Sequence, residues 1–476
     1  MADKRGIARI SVRALTGLIG VGVAVVAVAG ATLLPIPSFS ITAPVATVTP
    51  VPADQQRVCP GPLLALAAGA GSATRPSAFG APSTSYGSDS SDVQTRLLKT
   101  ATDTSDPGEA PLDITVPTPP GSTAPPLLAG AQWQDASTDD LAGLAAASCD
   151  EPSADSWLVA GSTALGQTSL VLLSNPTSVE ATVNLTIFAE TGAVDAPGAA
   201  GIVIPPGSQT VVPLAGLAPS VTAPVVHVKT SGGQVLASLQ QSYEQGIEPR
   251  GAELSGATGA PSQTQVISGV TIRNLAKVTA AQTGEGYGVD LPAVRVFVPG
   301  DQPAEVAVGA VGESGTAAGN SVSVTVKPGV VAEIPLQNLK DGNYTVTVHS
   351  SEPVVAAART SVMGAKTRDF SWFVSSQPMS DRFLVVVPSA PAPIIHLANA
   401  GTTDRAVTLT AESGKKLKFT VPGEGAVNRP IPAGTYTADG ADDLVTSISF
   451  SKDGSASSFA LNPPGPLAAP LDVYAR

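Results

Sequence analysis

The sequence predicts an all-β chain: tandem Ig-like or fibronectin-like β-sandwiches that follow a single N-terminal transmembrane helix and a Pro-rich linker. Three observations carry that expectation. Gly and Pro number 47 and 43 among 476 residues, while charged residues make up 13 % and aromatics 4 %. A coiled coil or long helical bundle needs far more charged helix formers, so both are excluded. Short apolar runs alternate with Thr, Ser and Asn, as in Val183, Leu185 and Ile187 between Thr182, Asn184 and Thr186, which is the period of a half-buried strand. One pattern also recurs three times, at about the size of a small β-domain.

The N-terminus comes first. Lys4, Arg5, Arg9 and Arg13 precede an uncharged run of 21 residues, from Ala14 to Leu34. At about 1.5 Å per residue the run reaches roughly 32 Å, enough for a bilayer core. The basic flank places residues 1–13 in the cytoplasm. A cleaved signal peptide is the competing reading, because Ala27-Val28-Ala29 fits a small-x-small cleavage site. The length of the run favours an uncleaved signal-anchor. Either way the body is exported. Residues 35–58 carry Pro35, Pro37, Pro44, Pro50 and Pro52 among Thr, Ser and Val and read as a stiff spacer, bare or O-glycosylated.

The net charge of −12 lacks the basic surface that nucleic-acid binding requires. Cys59 and Cys149 are the two cysteines. In an oxidising compartment two cysteines read as one disulfide. It would close a small β-rich domain, residues 59–150. That loop is long enough to stabilise by up to about 4.6 kcal/mol in the chain-entropy model. Strands are expected there near 95–101, 112–117 and 126–133, with a short helix at 139–147 capped by Ser137.

Three further units follow, at 151–262, 263–366 and 367–476. In each, an alternating strand ends at Glu-x-Gly: Glu190, Glu313 and Glu412, spaced 123 and 99 residues apart. A Pro-Gly corner comes next, at Pro206-Gly207, Pro328-Gly329 and Pro422-Gly423. Paired strands are expected to close each unit, 224–231 with 234–243, 343–350 with 353–362, and 434–439 with 444–451. Residues 246–266 and 278–292 read as loops between sandwiches.

The residues that could carry chemistry are few. His227, His349 and His396 sit singly in or beside apolar strands and read as structural or surface histidines. HExxH, GxSxG, Walker and Rossmann signatures are absent. Ser413-Gly414-Lys415-Lys416 matches SxxK in form but sits where a hairpin tip is expected. Asp439 with Asp442-Asp443, and Asp135 with Asp139-Asp140, lack calcium-loop spacing and read as solvated turns. No catalytic residue, cofactor site or metal site is expected. Trp133 and Trp372 are the candidates for contact with a glycan, against the competing reading of a core or interdomain plug.

A set of residues carries a resemblance: Val58-Cys59-Pro60-Gly61-Pro62, Cys149, Trp157 through Thr163, Leu172-Leu173-Ser174-Asn175-Pro176, Gln241-Ser242-Tyr243 and Pro249-Arg250-Gly251. In that order they resemble an actinobacterial family of membrane-anchored exported proteins that is catalogued as a domain of unknown function. The resemblance spans most of the ectodomain. It implies a cell-envelope location and a genomic association with a membrane glycosyltransferase, and it supplies no catalytic residue. The expected role is a non-enzymatic extracytoplasmic scaffold or adhesion protein of the cell envelope, held in the membrane by residues 14–34. The alternatives are a glycan-binding accessory of envelope polysaccharide synthesis and, third, a hydrolase with an unrecognised carboxylate pair. The expected partner is an envelope glycan or a membrane protein.

Overall fold

The computed structural model of the chain describes residues 20–26, 45–48, 53–66, 76–100, 110–122, 124–282, 291–313, 320–463 and 471–474. Two compact units are present, residues 1–50 with 468–476, and residues 51–467. In the first, residues 20–26 are helical and Val45–Val48 pairs antiparallel with Leu471–Tyr474. The remainder of the expected membrane segment, 14–34, lies outside the described residues. Among the described residues no helix is long and apolar enough to cross a membrane.

The second unit is all-β. Its first part contributes two three-stranded sheets. One orders Ala142–Cys149, Leu128–Ser137 and Ser83–Ser88; the other orders Gln55–Val58, Leu112–Val116 and Gln94–Leu97. Two expectations are corrected here. Residues 55–58, assigned to the spacer, form a strand because Val58 and Arg57 are buried against 112–116. The helix expected at 139–147 is not formed; Ala142–Cys149 is a strand. The Ala145-Ala146-Ala147 run favours a helix locally, but nearly every side chain from 143 to 149 is buried, and packing on both faces overrides propensity. Cys59 and Cys149 are joined by a disulfide.

Two five-stranded sheets follow. The first orders Asp155–Leu158, Val225–Gly232, Ala181–Ala189 and Gly192–Ala193, with Ile202–Ile204 beside Ala181–Ala189. The second orders Glu248–Ser255, Leu236–Gln245, Gln167–Asn175, Ser208–Pro213 and Lys99–Thr100. Val183, Leu185 and Ile187 of one share a core with Val171, Leu173 and Leu239 of the other, so the sheets pack face to face. The strands 225–232 and 236–245 therefore do not pair with each other, as expected from sequence, but belong to opposite sheets. Alternation identifies a strand and leaves its partner open, because both faces of this pair have apolar cores to fill.

The next stretch repeats that logic. Residues 343–350 and 353–362 form no hairpin; Gly342–Met363 is one long strand. Its first half pairs with Ser262–Ile272 and Ala304–Gly312, and its second half with Ala293–Phe297 and Arg368–Val374. The boundary drawn at 366/367 thus runs between hydrogen-bonded strands. Residues 246–266, expected as a loop, hold Glu248–Ser255 and the start of Ser262–Ile272. The buried polar residues Glu253, Ser255 and Gln265 break the apolar pattern that would have marked them. The last two sheets are four-stranded, and Gly434–Asp439 and Leu444–Lys452 again lie in different ones. Phe383, Leu409 and Phe419 of one meet Ile395, Ile448 and Phe450 of the other.

Four edge strands, one from each of four sheets, converge. Ala142–Cys149 packs on Glu248–Ser255 and Ser455–Ala460, and Arg368–Val374 packs on the same two. Gly143, with φ 155°, allows this approach, since a Cβ there would meet Ala252 N at 2.3 Å. The free edge groups are satisfied by side chains. Leu144 N donates to Asp369 Oδ2 at 2.9 Å and Ala146 N to Ser457 Oγ at 2.8 Å, while Ser457 Oγ donates to Glu253 Oε1 at 2.6 Å. Glutamine amides imitate a ladder in the same way. Leu64 N and O bond Gln240 at 2.8 and 2.7 Å, and Gly61 N and O bond Gln132 at 3.0 and 2.5 Å.

Arg295 is a second junction, 2 % exposed. Its guanidinium donates to the carbonyls of Gly161 and Pro224, both at 2.9 Å, and to Glu333 at 2.7 Å. It also lies over the Trp372 ring at 4.6 Å. One side chain therefore joins the stretch around 161–224 to the sheet holding 293–297 and 331–335. Removing one partner of a buried pair strands the other. We expect Arg295→Met to lose about 3–5 kcal/mol in urea unfolding of the whole chain. Arg295→Lys should recover little of it, because an ammonium cannot span the fork.

Candidate functional site

An open depression lies where the edge strand 248–255, the short helix 275–280 and the turn 364–367 meet. It has a volume of ≈ 490 Å³, and Arg250, Lys277, Lys366 and Arg368 line it with Met363 and Thr367. Among the described residues no carboxylate lines it, although the chain as a whole carries a net charge of −12.

Each cation has a local reason for its place. Arg250 follows the hairpin tip Gly246-Ile247 on the edge strand 248–255, next to an irregularity at Tyr243/Glu244. Its side chain is mostly buried and bonds Glu248 at 2.7 Å, and its buried Nε has no partner. Lys277 sits on the short helix Leu275–Ala280. Buried Val278 anchors that helix, and Asp341 accepts from Asn274 N and Leu275 N at 2.8 and 2.9 Å. Lys366 and Arg368 come from the turn after the long strand, closed by Gly364 N donating to Thr367 O at 3.0 Å. A Cβ on Gly364 would meet Asp453 Oδ1 at 2.7 Å. Asp453 accepts from Ala365 N at 3.3 Å, so the carboxylates of Glu248 and Asp453 stand beside the depression. Chemically the arrangement can hold an anion.

The residues singled out from sequence lie elsewhere. Trp372 is buried, 3 % exposed, with Nε1 donating to Gln241 Oε1 at 2.7 Å. Its face is taken by Arg295, the placement of a plug between sheets rather than of a surface aromatic. Trp133 is half-buried against the core of the last two sheets, and its buried Nε1 has no partner. His227 stacks on Trp157 with centroids 3.8 Å apart and bonds Asp155 at 2.9 Å. Burial lowers its pKa against the opposing pull of Asp155. His349 meets Thr264 Oγ1 at 3.3 Å. Ser413-Gly414 forms an exposed hairpin tip between Arg405–Ala411 and Lys416–Val421. Asp443, Asp439 and Asp135 face Arg405, Arg382 and Lys452. Among the described residues no group of three His, Cys, Asp or Glu side chains is placed to hold a metal.

His396 stands apart. Its Nδ1 meets Glu313 Oε2 at 2.5 Å, and its Nε2 meets Ser449 Oγ at 2.7 Å. Gly269 N at 2.8 Å and Thr345 Oγ1 at 3.0 Å donate to the other oxygen of Glu313. Burial alone would raise the Glu313 pKa; the charge of His396 and these donors bring it below its ordinary value. The order carboxylate–imidazole–hydroxyl is that of a nucleophile relay. All three side chains are buried, leaving no room for an acyl group at Ser449. The relay instead joins the strands 262–272 and 342–363 to 394–399 and 444–452.

Residues 101–427 match a family described as a family of unknown function (DUF5719). The chain belongs to that family. Among curated proteins none matches. Of solved structures, a Thermotoga maritima crystal structure, 1070, is 18 % identical over 25 % of this chain and 93 % of its own, with a TM-score of 0.20. A tetra-tandem repeat from the extending region of a large adhesion protein is 11 % identical over 80 % of this chain and 98 % of its own, with a TM-score of 0.11. Scores of that size carry no argument about fold or role. In this DUF5719 protein, sequence reading reached only Arg250 of the four cations, inside Pro249-Arg250-Gly251. The other three are scattered over about 90 residues, and only the sheet topology gathers them.

The junction of edge strands holds two buried acids. Burial pushes Glu253 and Asp369 well above the ordinary carboxylate range. Four backbone N–H groups aimed at Asp369, from Leu144, Phe370, Ala456 and Ala252, offset part of its cost. Glu253 has an Oε2 with no partner. A carboxyl whose pKa is raised by folding contributes full stability below the unfolded value and loses it as pH rises toward the folded value. Glu253→Gln should remove that slope. Its melting temperature should gain on the parent as pH rises above the ordinary Glu value of about 4.3; parallel pH profiles would contradict the assignment.

Proposed function

We propose that this DUF5719 protein is a non-enzymatic scaffold or adhesion module of the cell envelope, exported and held in the membrane by residues 14–34. On this reading it comes from an actinobacterium, and its face-to-face sheets are tandem Ig-like sandwiches. One observation carries the non-enzymatic part. Five buried side chains able to do acid–base or nucleophilic chemistry, Glu253, Asp369, Glu313, His396 and Ser449, are each committed to a bond between separate strands or sheets. The disulfide between two buried cysteines supports an oxidising compartment. The basic N-terminal flank and the uncharged run behind it support the anchor. The glycan-binding alternative keeps Trp133 as its aromatic and loses Trp372.

Fractionation of cells producing the whole chain tests the proposal. The protein should stay with membranes through an alkaline wash. Protease added outside the cytoplasmic membrane should digest the body, and the chain should run faster on gels without reductant. A soluble cytoplasmic protein with two free thiols would overturn it.

A further inference from the structure

We propose that the end of the molecule bearing the basic depression docks on an anionic lipid surface, with the four cations facing lipid phosphates and two aliphatic hairpin tips entering the interface. The inference rests on the reading that the body is held at a membrane.

Two independent observations meet at this end. One is electrostatic: Arg250, Lys277, Lys366 and Arg368 line one open depression, with no carboxylate among its described lining residues. Glu248, paired with Arg250, and Asp453 stand beside it, two acids to the four cations among the described side chains, while the whole chain is acidic. Lys277 and Lys366 are exposed. Charge complementarity therefore selects an anionic partner, and each cation near an anionic bilayer adds an attraction of useful size.

The other is apolar. Ile247 is 93 % exposed and Leu165 102 % exposed, values that a folded chain seldom gives to two large aliphatics in one place. They occupy neighbouring turns at one end of the five-stranded sheet. Gln167 pairs with Tyr243, Glu244 N donates to Gly166 O at 2.7 Å, and the tip Gly246-Ile247 lies just beyond. Arg250 follows three residues after Ile247 on the same edge strand. Glu244 and Glu248 border the same tip, so the cations that accompany it are those of the depression; aliphatic tips beside such cations are what the boundary between headgroups and acyl chains accepts. A soluble phosphorylated ligand would use the depression and leave both tips in water.

The test uses the whole chain reconstituted in nanodiscs of purely zwitterionic lipid or of the same lipid with an anionic component, followed by amide hydrogen exchange. Residues 245–248 and 364–368 should exchange at least about tenfold more slowly in anionic discs. The pair Lys277→Glu/Lys366→Glu should abolish that protection, and Leu165→Ser/Ile247→Ser should weaken it. Equal exchange in both discs would overturn the inference. So would protection of 364–368 by inorganic pyrophosphate in zwitterionic discs that matches the anionic discs and ignores the tip variants, which would mark a soluble-anion site. Failure of the chain to enter discs would remove the anchor reading instead. The same exchange with anionic vesicles added to the soluble chain would then decide docking alone.

Discussion

Four strand edges meet where water cannot reach them, and the rest of the architecture answers to that constraint. A sheet edge leaves a row of unpaired N–H and C=O groups, each costly to bury without a partner. Closing the four into a single ladder would require their registers to match, and they come from four separate sheets. The chain instead places acceptors on side chains: Asp369 for Leu144 and Ala456, and Ser457 for Ala146. The glutamines at 132, 134 and 240 serve the segment after Cys59 in the same way. Two buried carboxyls are the cost of this solution.

The same economy explains why chemistry-bearing residues do not assemble into a reactive centre. Glu313, His396 and Ser449 have the connectivity of a relay, and Arg295 has the fork geometry of a carboxylate clamp, yet each is spent on holding one sheet to another. Polar bonds at these junctions specify how the sheets meet, which an apolar contact of similar area would leave looser. A body joined this way presents fixed surfaces. The basic depression is one of them, built from a hairpin edge, a short helix and a turn that hold their places only because residues 51–467 form one compact unit.

Much of this was legible in the sequence, and the failures share a cause. The all-β class, the strands at 183–187 and 407–411, and the pairing of Cys59 with Cys149 follow from local alternation, turn residues and cysteine count. What local pattern could not supply was the partner of each strand. The closing strands 225–232 and 236–245 look like a hairpin, with Gly232-Gly233 between them, and they separate into opposite sheets because each has its own core to cover. Residues 142–149 look helical because alanine favours helices where nothing else decides. The strand at 248–255 was hidden because Glu253 and Ser255 face inward. Glu253 and Asp369 gave no signal of their own, since a buried carboxyl in the sequence is indistinguishable from a solvated one. The repeated Glu-x-Gly pattern marked Glu190, Glu313 and Glu412 alike, and only Glu313 found an imidazole.

The central claim is that residues 51–467 fold as one cooperative body held by side-chain bonds across its junctions, and calorimetry of the whole chain in mild detergent addresses it most directly. The account predicts a single transition for that body, with calorimetric and van't Hoff enthalpies in agreement. Arg295→Met should lower the whole of that transition. Three resolved transitions, only one of which responds to Arg295→Met, would contradict it and describe beads on a string.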